Sequence, residues 1–121
     1  MKIKTAELIG PTLDWVVAKC GGTPGLHIIQ KPGKTCVYGV LKMPSGEMID
    51  WPVQPSTDWS QGGPIIHREK IGVWWDGVWH AKYDGCLHEE VQDADDPLLA
   101  AMRCYVASRL GDEVEIPEEL L

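Results

Sequence analysis

The sequence predicts an α+β domain, an antiparallel sheet of about five short strands with an N-terminal and a C-terminal helix packed on it. Three observations predict it. Apolar residues recur at helical spacing near each end, at Ile9, Leu13, Val16, Val17 and Cys20 and again at Leu98, Ala101, Met102, Tyr105, Val106 and Leu110. Between them lie β-rich runs punctuated by Pro-Gly and Asp-Gly. Finally, 121 residues with 44% apolar and 24% charged content supply one core, so residues 1–121 read as a single domain with an acidic segment at 112–121.

Residues 2–4 read as a short strand and Thr5 as the N-cap of the first helix. Pro11 falls early enough to leave open a turn followed by a helix. Gly21-Gly22 stops that helix, with Lys19 in its last turn. Strands follow at 27–30 and 35–42, flanking Lys31-Pro32-Gly33-Lys34, where Pro then Gly is type II turn chemistry. Pro44-Ser45-Gly46 turns the chain into a strand at 47–51. The clearest hairpin pairs 71–75 with 78–83 across Asp76-Gly77. The last helix is capped by Asp96, has Pro97 in its first position and is closed by Gly111 after Arg109.

Charge narrows the function classes. Eleven bases against 18 acids give −7, which argues against direct nucleic-acid binding. The excess acid lies in residues 89–121, which hold ten acids and two bases, concentrated at 89–96 and 112–119. That distribution reads either as a solvated surface, or as a docking surface for a basic partner or a mimic of nucleic-acid phosphates. No run of 18 apolar residues and no signal-peptide pattern occurs, so a cytosolic chain without a membrane span is expected.

Four cysteines, Cys20, Cys36, Cys86 and Cys104, form no C-x-x-C pair, and Cys86-Leu87-His88 is a single C-x-H. Reduced, largely buried thiols are expected, notably at Cys20 and Cys104. His27, His67, His80 and His88 are scattered. No metal and no cofactor is expected. Gly21-Gly22-Thr23-Pro24-Gly25 follows a helix and precedes a strand, the wrong order for a phosphate cradle. No hydrolase, kinase or nucleotide-triphosphatase pattern appears, so no catalytic residue is assigned.

The segment that reads as functional is 52–70, about 19 residues without a strand pattern. It carries hydroxyls, a carboxylate, an amide and glycines that let backbone approach a ligand. One reading is a short capped helix, with Ser56 or Thr57 as cap, Asp58 in the first turn and Trp59 plugging the core. The compatible second reading is a ligand-lining loop in which residues 55–64 wall the principal pocket. Ser56, Thr57, Asp58, Trp59, Gln61, Gly62 and Gly63 are then the candidate ligand residues, with Arg68 and Arg103 as partners for an anionic ligand. Six tryptophans stand against no phenylalanine. Trp74 and Trp75 are adjacent, so a strand sends them to opposite faces, where Trp79 can join one of them.

Three stretches together resemble the NinX family of small lambdoid bacteriophage proteins. They are the opening Met1-Lys2-Ile3-Lys4-Thr5-Ala6-Glu7-Leu8-Ile9-Gly10 with Leu13-Asp14-Trp15 and Ala18-Lys19-Cys20, the segment from Pro55 to Ile66, and the segment from Ala100 through Pro117. The resemblance implies a phage accessory protein acting in the bacterial cytoplasm, and it carries no catalytic residue with it. The leading expectation is a non-enzymatic protein that sequesters a small host molecule, of nucleotide-derived type, in counter-defence. The alternatives are an acidic inhibitor of a basic host factor and a small hydrolase using Asp58 and His67. Homo-oligomerisation stays open.

Overall fold

The computed structural model describes residues 1–83 and 91–120. It is a mixed α+β fold with antiparallel strands throughout, as the sequence predicts, but the strands divide among three small sheets. β1 (Lys2–Lys4) pairs with β8 (Glu113–Glu115), Ile3 lying opposite Val114. β2 (His27–Lys31), β3 (Lys34–Lys42) and β4 (Met48–Pro52) form a meander, and β5 (Ile71–Trp75), β6 (Trp79–Tyr83) and β7 (Val91–Ala94) form another. Three helices connect and cover them: α1 (Gly10–Cys20), α2 (Trp59–Glu69) and α3 (Pro97–Leu110).

α3 is the centre of the molecule. Asp96 caps it by accepting from the Leu98 and Leu99 amides, Pro97 occupies its first turn and Gly111 follows it, all as the local chemistry predicts. Its burial is wider than one stripe. Ala100, Ala101 and Met102 are consecutive and fully buried, as are Leu98, Tyr105 and Val106, whereas Leu110, expected inside, is exposed. The helix packs on β5, β6 and β7, on α1 and α2, and on β8. Arg103 ties β7 and the segment before α1 to it, donating through Nη1 to Asp93 O at 3.1 Å and through Nε to Leu8 O at 2.8 Å.

The first helix starts later than expected. Thr5 does not cap it. Its buried hydroxyl donates to Gly111 O at 2.6 Å and its amide to Asp112 O at 2.7 Å, which fastens the entry of α1 to the exit of α3. α1 begins instead at Gly10-Pro11, where Pro11 pre-sets the first turn and the N-cap is Ile9, an exposed residue outside the apolar stripe. Leu13, Val16 and Val17 face the α3 core. Ala18, on the other side, joins Val37 and Val53 in a second small core under β3. α1 is therefore shared between two layers.

α2 falls where the sequence showed a patternless segment, and the capped-helix reading is the one the backbone follows. Asp58 itself is the N-cap, accepting from the Ser60 amide at 2.9 Å and the Ser60 hydroxyl at 2.7 Å. Trp59 does not plug the core, being 54% exposed. Gly62 explains the unlikely helix composition: a Cβ there would meet Leu98 Cδ1 and Pro55 O, both at 2.4 Å, so α2 approaches α3 through a bare backbone.

The β5–β6 hairpin is one residue looser than predicted. Trp75 pairs with Trp79, and Asp76, Gly77 and Val78 form the loop, because the Asp76 amide donates to Val78 O at 3.1 Å. Trp75 and Trp79 pack as tilted rings 5.4 Å apart. Trp74 points to the other face and stacks on His80. His80 joins loop to sheet, its Nδ1 lying 2.5 Å from Asp93 Oδ1 and its Nε2 in contact with Asp76 Oδ1. These carboxylates, Asp76 first, push the imidazole above its ordinary pKa. Cys20 and Cys36 are half-buried thiols, less enclosed than expected at Cys20, and Cys104 is buried. Cys86 and His88 lie outside the described residues.

The close contact at Gly62 yields a prediction. Gly62→Ala gains helix propensity of about 1 kcal/mol but forces methyl against Leu98 and a carbonyl oxygen, an overpacking cost of roughly 1–3 kcal/mol. Urea denaturation should show a lower midpoint with an unchanged slope. A raised midpoint would mean the helices separate freely.

Candidate functional site

α1 carries one residue that its buried position does not suit. Asp14 lies three and four residues before Val17 and Ala18, so it occupies their helix face and is 4% exposed. The Ser56 amide donates to its Oδ1 at 2.8 Å. Burial is the largest influence on this carboxyl and raises its pKa from 3.8 to about 6, while the Ser56 hydroxyl and amide pull the other way. The hydroxyl favours the charged carboxylate by proximity, yet its buried oxygen has no partner in hydrogen-bond geometry.

Asp14 opens on a cleft of about 200 Å³ between the start of α1 and the β2–β3–β4 sheet. Lys31 and Lys34, either side of the β2–β3 turn, line it with Thr35, Tyr38, Gln54 and Thr57. Lys31 Nζ stands 3.5 Å from the Tyr38 hydroxyl and 5.9 Å from its ring centroid. The cleft thus combines two ammonium groups, several hydroxyls and one carboxyl close to neutrality. Such a set can bind an anionic group on its lysines and an N–H donor on Asp14.

A second concavity, about 400 Å³, adjoins the other side of the α1 start. Ile9, Trp59, Leu98 and Leu99 give it apolar walls, and Ser56, Thr57 and Asp96 give it polar ones. Of the residues singled out from sequence, Ser56, Thr57 and Trp59 meet here. The others disperse. Asp58 is occupied as a helix cap, and its hydrogen bonds with Ser60 hold its carboxyl below the usual range. Gln61 is a clamp, its amide donating to Pro52 O at 2.9 Å and its carbonyl accepting from the Gln54 amide at 2.8 Å. Gly62 packs on α3, and Gly63 lies beside Trp59.

Arg68 borders a further concavity of about 250 Å³ with Trp51 and Gln61, near the Tyr105 ring and 3.7 Å from Glu69. Arg103 is spent on two backbone carbonyls. Asp58 and His67 stand nine residues apart, cap to last turn of one helix, about 13 Å along the axis, too far to share a proton. The residues that sequence reasoning missed are Asp14, Lys31, Lys34 and Tyr38. Only Asp14 had a signal, an acid set at helical spacing with two buried apolar residues.

The model of the family described as Bacteriophage P22, NinX matches residues 4–109. The chain belongs to this family. The match runs from β1 nearly to the end of α3, so both concavities lie within the NinX region. No curated protein matches the chain. Among the described residues, no helix is long and apolar enough to cross a membrane.

In the acidic segments of this NinX chain, Asp95, Asp112, Glu113, Glu118 and Glu119 are exposed, and three further acids have partners within the fold. Asp93 holds His80, Asp96 caps α3, and Glu115 pairs with the Met1 amine at 2.7 Å. Residues 112–120 form no loose tail, since Val114 and Ile116 are buried and β8 pairs with β1. Glu89 and Glu90 lie outside the described residues.

The shifted carboxyl gives a signed pH prediction. A folded-state pKa raised above the unfolded value favours the fold fully below about 3.8, and that contribution is lost as pH rises through about 6. The loss amounts to about 3 kcal/mol. Asp14→Asn keeps an acceptor for the Ser56 amide and removes the titration. The stability of the unmodified chain minus that of Asp14→Asn should fall by up to that amount between pH 4 and 7, read from urea midpoints. A difference that stays flat with pH would return Asp14 to an ordinary carboxyl.

Proposed function

We propose that this protein is a binding protein that holds a small anionic host molecule in the cleft between α1 and the β2–β3–β4 sheet, to the advantage of the phage in the bacterial cytoplasm. The observation that carries this reading is Asp14, a buried carboxyl raised to about 6 and facing a cleft that two lysines line. Near neutral pH the desolvation of this acid works against the fold, and the Ser56 amide hydrogen bond offsets that only in part, which a donor on a ligand would complete. The lysines attract the anion, and Asp14, once ionised, accepts a hydrogen bond from a donor on the same molecule. The second reading is an inhibitor that presents acids to a basic host protein; Asp93, Asp96 and Glu115 have partners within the chain, so Asp95, Asp112, Glu113, Glu118 and Glu119 would have to carry it.

Lys31 and Lys34 sit on an exposed turn, so reversing their charge leaves the core untouched. Calorimetric titration with inorganic pyrophosphate and with nucleoside monophosphates should detect binding that weakens with salt. The double variant Lys31→Glu, Lys34→Glu should bind at least tenfold more weakly, about 1.4 kcal/mol, with an unchanged melting temperature. Binding that ignores the charge reversal, or no binding by any of these anions, would sink the reading.

A further inference from the structure

The concavity of about 250 Å³ that Arg68 borders lies at the end of α1, whereas the lysine cleft lies at its start. Val17 and Ala18 from α1, Val53 and Pro55 from the chain leaving β4, and Ile65 from α2 give it apolar walls. Trp51 adds an indole that is 48% exposed. At the floor is Tyr105 of α3, a residue 1% exposed. The guanidinium groups of Arg109 and Arg68 lie over its ring, at 5.4 and 5.9 Å, but among the described residues its hydroxyl makes no hydrogen bond. That hydroxyl stands 4.0 Å from where a Cβ on Gly21 would be, and Gly21 lines the same concavity. Burial pushes the phenol above its ordinary pKa, so it stays an O–H donor at neutral pH. A buried donor in that state is satisfied by an acceptor arriving from outside.

The surroundings define the charge of that acceptor. Arg68 is an exposed side chain whose guanidinium donates no hydrogen bond among the described residues, Glu69 standing 3.7 Å from its Nε. Its planar fork is open to a planar anion. A doubly charged group is disfavoured, because Glu69 and the negative end of α1 both lie beside the site. A carboxylate, flat and singly charged, matches this set where a phosphate does not. The apolar walls and the indole suit the face of a flat ring. A volume of about 250 Å³ falls short of the roughly 300–1,000 Å³ of drug-sized sites, which limits the ligand to one or two rings. We infer that this concavity is a second binding site, for a small aromatic monocarboxylate. The carboxylate lies between Arg68 and the Tyr105 hydroxyl, and the ring lies against Trp51. The site shares only Val53 with the lysine cleft and does not depend on it.

The test titrates the protein with indole-3-acetate and follows it by heteronuclear NMR. Indole-3-acetamide keeps the ring and loses the charge, and cyclohexylacetate keeps the charge and loses the flat ring. Indole-3-acetate should bind about tenfold or more tightly than either. The largest shifts should fall on Trp51 Nε1–H and on the amides of Thr23 and Ile65. Arg68→Gln, at an exposed position, should fold and should weaken binding about tenfold. Tyr105→Phe removes an oxygen that no described group uses, so its melting temperature should not fall, while indole-3-acetate should bind it about tenfold more weakly. Equal binding of acid and amide, or of flat and saturated rings, would overturn the inference. So would an affinity that ignores Arg68→Gln, or shifts centred on the Thr35 and Tyr38 amides in the lysine cleft. A Tyr105→Phe variant that melts lower and binds unchanged would show that the hydroxyl serves the fold, and the inference would fall, as it would if indole-3-acetate did not bind.

Discussion

Ala100, Ala101 and Met102 follow one another along α3 with no exposed surface, a pattern that a helix lying on one sheet cannot produce. Three successive positions span most of a helical turn, so protein must close on α3 from nearly every direction. A single sheet covers one side. This chain instead lays β5–β7 against one flank and brings α1, α2 and β8 to the others. Alanines keep the central helix thin enough for those neighbours to approach, and Gly62 does the same for α2. Two of the three sheets serve to enclose this helix, and the third, β2–β3–β4, packs on the far side of α1.

The candidate site is a by-product of that arrangement. α1 is recruited to the α3 core through Leu13, Val16 and Val17, which leaves Asp14 and Ala18 facing a second, smaller core of only Ala18, Val37 and Val53. A core that small does not fill the space between α1 and β3, and the cleft is what remains. Ser56, just before the cap of α2, is fixed against Asp14 because Gln61 clamps the end of β4 and Gly62 seats the helix on Leu98. The polar centre is thus positioned by packing on both sides and owes little to its own hydrogen bonds.

Features that depend on local chemistry were legible in the sequence. Asp96-Pro97 and Gly111 bound α3, and Gly21-Gly22 ends α1, because caps and stops act over a few residues. The β5–β6 turn was located and its register missed by one residue, since the carbonyl of Val78 competes for the Asp76 amide. α2 was legible only as one of two readings of its segment, because Gly62, Gly63 and Pro64 oppose helix formation, and contact with α3, distant in sequence, is what makes glycine favourable there. The same limit applies to the site. Asp14 and Ser56 are 42 residues apart, and Lys31 and Lys34 read as ordinary turn residues until the sheet places them beside α1. Ser56, Thr57 and Trp59 were reachable because they share one segment. Arg103, chosen for its charge, proved to be a structural tie between backbone carbonyls.

The position of α3 in the chain also has a consequence for how the protein is made. Translation delivers seven strands and two helices before α3, the helix on which α1, α2 and β5–β7 pack. Leu13, Val17, Ile71 and Ala81 face an empty centre until residues 98–106 leave the ribosome. The nascent chain can form its hairpins early, but its apolar faces stay uncovered through most of synthesis, and closure is a single late event.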